Sequence, residues 1–542
     1  RFGMFAIEKR ASFPQHVRTL KPDEREYKLA DKEVAKVAHE LSIEPGTYSA
    51  EDAKEKLNRL RAKVVDILDE KIRLCGLLNA LPILFEKSNA LINDAWQIEA
   101  QLKATKDHDL DYEASERSSE KEKEFLHWYR VYRYVIEKFV QHQPFGTTEL
   151  KEDQLKEILA LADRLMDLYV SSDFINYELY PVSVNIDRDY IVSTKDETHD
   201  ISAMEKEYGE EQAKISLGII GSKNDTADSS LPVEGYLNEL DAAFKKDLGF
   251  GLKNLINAQQ VLALWAERAE IPETTYYFAD IDQITKACEK EIIGYDVTET
   301  AAILDFLTLK QEEILSVKGQ SAAPLDLPVW EHNKRLARFD IRPLIKHQNT
   351  YYWAPHSIER TSRIWMGISG KHKLPSDIEA PTVKSVLLKG HQNLENNLVA
   401  KTKEIVSRFT YNVKTNIYPH TYDSSIADMG DYDVIAYLKD KNILLNIECK
   451  IIDPPHSNKD SGRMQRRIYG EKRTDGSFKK GDLQRVEERA TYLTTNGQKL
   501  IASLGWTSTA IPPKVISIFV TKMGFWWTKF PPARQRIPRS VL

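Results

Sequence analysis

Two acidic residues and one lysine stand at the ends of two neighbouring apolar runs, and together they could support metal-assisted chemistry. Asp433 begins the run 433–438, and Glu448 and Lys450 end the run 443–450, with a polar segment between the runs. Carboxylate oxygens are the ligands that Mg²⁺ prefers. A lysine beside such an ion can orient or deprotonate an attacking water and oppose charge that develops on a phosphoryl group. The three residues therefore predict metal-assisted hydrolysis of a phosphodiester.

The two runs are predicted to form an antiparallel hairpin, because both are rich in apolar and β-branched residues and a short polar loop separates them. If Leu438 pairs with Ile443, the register continues until Asp433 lies opposite Glu448. Their Cβ atoms would then be roughly 4.5–5.5 Å apart on one face, from which Lys450 also projects. Like charges placed in this way are unfavourable unless a cation lies between them. We therefore expect Mg²⁺ or Mn²⁺ at this position, with the two carboxylates as ligands.

The order of an Asp at the start of one strand and Glu-x-Lys on the next resembles the PD-(D/E)XK nuclease superfamily, whose fold is also called restriction-endonuclease-like. One position departs from the pattern, since Tyr432 precedes the Asp where the superfamily name has proline. The resemblance covers residues 382–542, less than a third of the chain. It implies a metal-dependent nuclease, with DNA as the expected substrate, endonucleolytic cleavage, and a role in bacterial restriction or defence against phages.

The elements around the hairpin are predicted from their apolar spacing. A helix over 383–409 should bury Leu394, Leu398, Ile405 and Phe409, and a strand over 411–418 should follow it. A second helix is predicted over 483–494 and a closing strand over 515–521. This order of one helix followed by three strands is the order that the resemblance implies for the core of the domain.

Two further residues are predicted to support the site through the resemblance. Glu395 lies near the position from which a first-helix glutamate of the superfamily reaches the metal. Gln484 matches a polar position that several branches of the superfamily use beside the site. For Glu395 an ordinary solvated charge on a helix surface is the alternative interpretation.

A basic stretch follows the hairpin and is predicted to contact the phosphate backbone of nucleic acid. Several glycines within 459–481 favour a loop-rich conformation. Solvated surface charge is the alternative interpretation of the same residues. Because the formal net charge of the chain is −6, any nucleic-acid contact must be local rather than global. The candidate contact residues are Lys459, Arg463, Arg466, Arg467, Lys472 and Arg473.

The first part of the chain has a helical pattern of apolar residues. Aromatic and aliphatic residues between 125 and 139 recur at helical spacing, which predicts the buried face of a long helix. We therefore expect an α+β protein in three parts. Residues 1–325 should be mostly helical and recruit a partner or substrate, 326–382 should form a β-containing connection with a linker at 324–328, and 383–542 should form the nuclease-like domain.

Composition limits the class of protein. The chain is 42% hydrophobic and 29% charged, as in soluble globular proteins, and no run approaches the length of a membrane span. The three cysteines are widely spaced, which argues against a disulfide framework or a zinc site and fits a reducing cytoplasm. The first sixteen residues lack a starting Met and a signal-peptide apolar region, as expected of a fragment or a trimmed chain.

Two functions remain open at this point. The first is the metal-dependent nuclease, and the second is a non-catalytic nucleic-acid-binding or scaffold protein that keeps a degenerate nuclease fold. The presence of Asp433, Glu448 and Lys450 together favours the nuclease. In a site without activity, nothing would offset the repulsion between the opposed carboxylates.

Overall fold

The computed structural model describes most of the chain and divides it into two compact units, residues 1–387 and residues 388–542. Helices predominate in the first unit, and both units contain small sheets, which confirms the predicted α+β class. The described residues are 17–108, 114–144, 146, 148–177, 182–196, 233–314, 338–371, 374, 378–452, 458–472 and 477–521. The predicted linker at 324–328 lies outside them.

The first unit consists of a long helical array followed by shorter helices. Its helices are α1 (Glu24–Glu40), α2 (Ala50–Arg73), α3 (Leu77–His108), α4 (Ala114–His142), α5 (Glu152–Tyr177), α6 (Val233–Leu248), α7 (Leu252–Ala263), α8 (Trp265–Arg268), α9 (Ile281–Glu291), α10 (Thr300–Leu307), α11 (Gln311–Ile314) and α12 (Pro355–Lys371). Helix α13 (Pro381–Ser407) contains the boundary between the units. None of the helices in the described ranges is long and apolar enough to span a bilayer.

The aromatic stripe of α4 lies in the core of the first unit, as the spacing predicts. Tyr132, Val135, Ile136 and Phe139 are each at most 1% exposed. Each large apolar side chain buried in this way contributes about 1.5–3 kcal/mol of transfer free energy. The stripe is therefore explained by packing of the helical array.

The described residues of the first unit also form two three-stranded antiparallel sheets. One contains β1 (Gly46–Ser49), β2 (Val182–Ile186) and β3 (Val192–Asp196) in that order. The other has β6 (Thr350–Trp353) between β4 (Tyr277–Asp280) and β5 (Ile345–His347). The described part of the predicted connection 326–382 thus joins the first unit by strand pairing and also contains α12.

The second unit is built on a four-stranded sheet. Its strands are β7 (Val413–Ile417), β8 (Tyr432–Leu438), β9 (Ile443–Lys450) and β12 (Lys514–Thr521), in the spatial order β12-β9-β8-β7. The pairs β7–β8 and β8–β9 are antiparallel, and β12 runs parallel to β9. The order helix, strand, strand, strand that the sequence predicts is confirmed by α13, β7, β8 and β9.

The buried face of α13 differs from the predicted one. Val399, Thr402 and Val406 are 5–9% exposed, and the two valines pack with residues of β8 and β9. Ile405 and Phe409, which were predicted to be buried, are 37% and 74% exposed. Leu398, which was also predicted to be buried, packs in part against the same cluster, and Phe409 lies beyond the end of the helix at Ser407.

The basic stretch after the hairpin is also more regular than predicted. Residues Asn458–Tyr469 form helix α14, and the short strands β10 (Glu471–Lys472) and β11 (Phe478–Lys479) pair in an antiparallel ladder. The helix forms because its apolar side packs, with Ile468 contacting a cluster that contains Ile452 and Leu483. The predicted loop-rich conformation is therefore wrong over α14. The following helix, α15 (Asp482–Ser503), extends beyond the predicted 483–494.

Candidate active site

The hairpin β8–β9 positions the acidic residues, and its predicted register is confirmed. The paired residues run from Leu438 opposite Ile443 to Val434 opposite Ile447. The next step along both strands brings Asp433 and Glu448 to the same end and face of the hairpin. Both side chains are largely enclosed, since the two residues are only 7% and 8% exposed.

Lys450 connects the two carboxylates. Its Nζ lies 2.8 Å from Oε1 of Glu448 and 3.6 Å from Oδ2 of Asp433. The backbone N–H of Cys449 donates a hydrogen bond of 2.7 Å to the same Oδ2. The structure therefore brings together the three residues that the sequence analysis singles out.

A fourth charged residue, Arg489 of α15, completes the cluster. Its Nη1 donates to Oε2 of Glu448 at 2.6 Å, and its Nε donates to the carbonyl oxygen of Met429 at 3.1 Å. The guanidinium carbon lies 5.2 Å from the centre of the Tyr432 ring, within the range of a cation–π contact. Arg489 is itself only 7% exposed.

Arg489 is not among the residues predicted from the sequence, although its position in the helix carries one signal. Arg489 follows Val486 by three residues and precedes Leu493 by four, so it occupies the apolar stripe of its helix. A charged residue on such a stripe is rarely buried without a partner. The partner itself, Glu448, lies 41 residues away in the sequence and cannot be read from helical spacing.

Burial and neighbouring charge set the protonation of the cluster. Burial raises the pKa of Asp433, and repulsion from Glu448 raises it further. Burial lowers the pKa of Lys450, but the hydrogen bond to Glu448 and the surrounding negative charge outweigh that effect, and the net shift is upward. Burial raises the pKa of the Cys449 thiol to about 11, so this residue is not a thiolate nucleophile at neutral pH.

The raised pKa of Asp433 should make the thermal stability of the protein depend on pH. The pKa of a carboxyl group in the unfolded chain is about 3.9. When its pKa in the folded protein is higher, the group stabilises the fold at pH values below about 3.9, and this contribution is lost as the pH rises through the folded-state pKa. Asp433→Asn should therefore have a higher Tm than the parent near pH 7 in the presence of EDTA, and the gap should close as the pH falls toward about 4. Thermal unfolding across this pH range measures it, and a parent that is more stable than the variant at pH 7 would contradict it.

Glu395 lies on the face of α13 that packs toward the sheet. It precedes Val399 by four residues and Thr402 by seven, and Thr402 Oγ1 is 3.6 Å from the Sγ atom of Cys449. Its negative charge contributes to the raised pKa of Lys450. Glu395 Oε1 also lies 3.7 Å from Nε2 of His391, one turn earlier. The structure thus places Glu395 within electrostatic range of Lys450.

Gln484 has a different local role from the one expected. Its Oε1 accepts a hydrogen bond of 3.0 Å from the backbone N–H of Gly481, which caps the first turn of α15. The contact from this helix to the acidic cluster is made by Arg489, about one and a half turns later. The helix chosen by the sequence analysis is the relevant one, but the contacting residue is not Gln484.

The basic residues of α14 fall into two groups. Arg463 is exposed, whereas Arg466 pairs with Glu471 at 3.3 Å and Arg467 pairs with Asp482 at 3.4 Å. The side chains of Lys459 and Lys472, and the whole of Arg473, lie outside the described residues. Ile468 of α14 packs with Ile452, which follows Lys450 by two residues. The basic helix is therefore anchored next to the strand end that carries Lys450.

The donor set is suited to a hard divalent cation with a partly aqueous coordination shell. Within the described ranges, no three His, Cys, Asp or Glu side chains are grouped so that they could hold an ion. Mg²⁺ is commonly bound by one or two carboxylates, with waters and substrate phosphates completing the shell. Asp433 Oδ1 makes no hydrogen bond to any described residue, although its side chain is 89% enclosed. Among the described residues, Oε1 of Glu448 is paired with the amine of Lys450. These two oxygens are the ones that fit an ion.

Comparison of the chain with protein-family models, with curated proteins and with solved structures gives no match. The chemistry of the site is therefore inferred from its own residues.

Proposed function

We propose that residues 388–542 form a metal-dependent nuclease that hydrolyses phosphodiester bonds, with DNA as its substrate and internal cleavage as its mode. The observation that carries this proposal is the meeting of two enclosed carboxylates and one lysine at the end of the β8–β9 hairpin. The order of α13, β7, β8 and β9 supports it, because it is the order that the resemblance to PD-(D/E)XK nucleases implies.

In this proposal Asp433 and Glu448 hold Mg²⁺ or Mn²⁺. The ion would polarise the scissile phosphate and lower the pKa of a bound water. Lys450 would stabilise developing negative charge and orient or deprotonate the attacking water.

The first unit would serve in recruitment of a partner protein or of the substrate. The resemblance implies a role in bacterial restriction or defence against phages, and the widely spaced cysteines fit a reducing cytoplasm.

A second candidate function is favoured by a specific observation. Lys450 and Arg489 together balance the charges of Asp433 and Glu448 without any ion. The same cluster could therefore stabilise a non-catalytic nucleic-acid-binding or scaffold domain.

Cleavage of circular and linear DNA with and without Mg²⁺ separates the two functions. The nuclease proposal expects nicking or linearisation of the circle that depends on the ion and is lost in EDTA. Intact circles together with measurable DNA binding would favour the second function. Parallel reactions with RNA test the substrate, and cleavage of linear DNA alone would contradict internal cleavage.

The basic helix makes a further prediction about DNA binding. Replacing Arg463, Arg466 and Arg467 together with Gln should weaken binding to any sequence and flatten its salt dependence by up to about three phosphate contacts. Arg463 should account for the largest single share, because Arg466 and Arg467 are already paired with carboxylates. Fluorescence anisotropy across a salt series measures the slope for the parent, the single variant and the triple variant.

A matched control removes three exposed lysines elsewhere in the same unit. Lys441 and Lys514 lie at the far end of β9 from Lys450, and Lys499 lies near the end of α15. Their replacement by Gln should leave the salt slope unchanged. An equal loss in both triple variants would show a general charge effect and would place α14 outside the DNA contact.

A further inference from the structure

The two oxygens of Glu448 have different partners. Oε2 accepts from Arg489 at 2.6 Å, and Oε1 lies 2.8 Å from Lys450. Arg489 is fixed by three separate contacts, since it also donates to the Met429 carbonyl and lies against the Tyr432 ring. Lys450, in contrast, is held through a flexible four-carbon chain. An arriving cation can therefore displace the lysine from Oε1 far more easily than the arginine from Oε2.

Asp433 shows the same asymmetry. Its Oδ2 is engaged by the backbone N–H of Cys449, which cannot move without disrupting β9. Its Oδ1 makes no hydrogen bond to a described residue. Each carboxylate thus has one oxygen that is held by a fixed donor and one that is not.

The charge balance points in the same direction. Asp433 and Glu448 supply two negative charges, while Lys450 and Arg489 supply two positive charges within 4 Å of them. Glu395 adds one negative charge on the side of Lys450. One divalent cation can be accommodated when Lys450 moves aside. A second cation would have to approach Oε2 of Glu448, next to the guanidinium of Arg489. Repulsion between the two positive charges is strong there, because the site is poorly solvated.

We propose that Arg489 is a positioning residue that limits this site to a single divalent cation by engaging Oε2 of Glu448. This role of Arg489 rests on the proposed metal-dependent function and specifies how many metal ions the site holds. Arg489 acts through Glu448, which it holds by Oε2, so that Oε1 is the oxygen that would bind the ion. The positive charge of Arg489 occupies the position that a second cation would need.

The test counts bound Mn²⁺ on the full chain without DNA, by electron paramagnetic resonance and by calorimetry. The parent should bind one ion at the site and show no spectrum of a coupled Mn²⁺ pair. Arg489→Met removes the charge and frees Oε2, so the stoichiometry should shift from one toward two and a coupled spectrum should appear at high Mn²⁺. Arg489→Lys keeps the charge and should stay at one ion.

The control is Arg485→Met, which removes an exposed arginine one turn earlier on the same helix. It should leave the count at one. A parent that binds two ions would overturn the inference even if Arg489→Met fails to fold, and so would a folded Arg489→Met protein that still binds one. DNA cleavage by the same preparations is read separately. One bound ion without cleavage contradicts the nuclease proposal alone, two bound ions with cleavage contradict the role of Arg489 alone, and a parent that binds no ion overturns both.

Discussion

Asp433→Asn and Glu448→Gln should each abolish cleavage, because each replaces a carboxylate that holds the ion in the proposed site. Loss of the ion removes several kcal/mol of transition-state stabilisation, which corresponds to a rate loss on the order of a thousandfold or more. Mg²⁺ binding by calorimetry should fall in parallel with the cleavage rate. Asp431→Asn is the matched control, since Asp431 is an exposed acid that immediately precedes β8 and lies two residues before Asp433.

The two variants should differ in stability, which separates loss of the ion from loss of the fold. The repulsion between like charges alone predicts that removal of either carboxylate is neutral or stabilising. The contacts in the structure agree with this expectation for Asp433 but not for Glu448. Removing the charge of Glu448 leaves Arg489 enclosed without its carboxylate partner, and a broken buried pair typically costs about 3–5 kcal/mol. Thermal unfolding in EDTA should rank Asp433→Asn at or above the parent and Glu448→Gln below it. An Asp433→Asn protein that binds Mg²⁺ normally would refute the assigned ligand.

Lys450→Met should lose turnover while keeping the ion. The variant lacks the cation that would oppose charge developing on the phosphate, and loss of one such group costs about 10²–10³ in rate. Ion affinity should be unchanged or higher, because Nζ no longer competes for Oε1 of Glu448. Single-turnover cleavage at saturating Mg²⁺ measures the first effect, and calorimetry measures the second.

Lys441→Met serves as the control for Lys450, because Lys441 is exposed in the turn of the same hairpin. It should cleave and bind Mg²⁺ like the parent. If Lys450→Met cleaves at the parental rate, the lysine has no role in the chemistry. If its Mg²⁺ affinity collapses together with its rate, the lysine supports ion binding instead of the chemical step.

The sequence by itself determined the hairpin and its register. Alternation in a strand has a period of two, and a slip by one residue would move every apolar side chain to the opposite face. The loop between Leu438 and Ile443 then fixes which residues lie opposite each other, so Asp433, Glu448 and Lys450 could be placed on one face without knowledge of the fold. These are local relations, and local relations can be read from spacing.

The tertiary structure alone decided which face of α13 is buried. Helix α13 has apolar residues on two adjacent stripes, and only the packing of Val399 and Val406 against the sheet shows that Ile405 remains exposed. In the same way α14 becomes helical because Ile468 packs with Ile452, despite the glycines that favour a loop. The pairing of Arg489 with Glu448 joins two elements that are distant in the chain. Such contacts depend on how separate elements pack in three dimensions, and that packing sets the charge of the candidate site and the partners of its carboxylate oxygens.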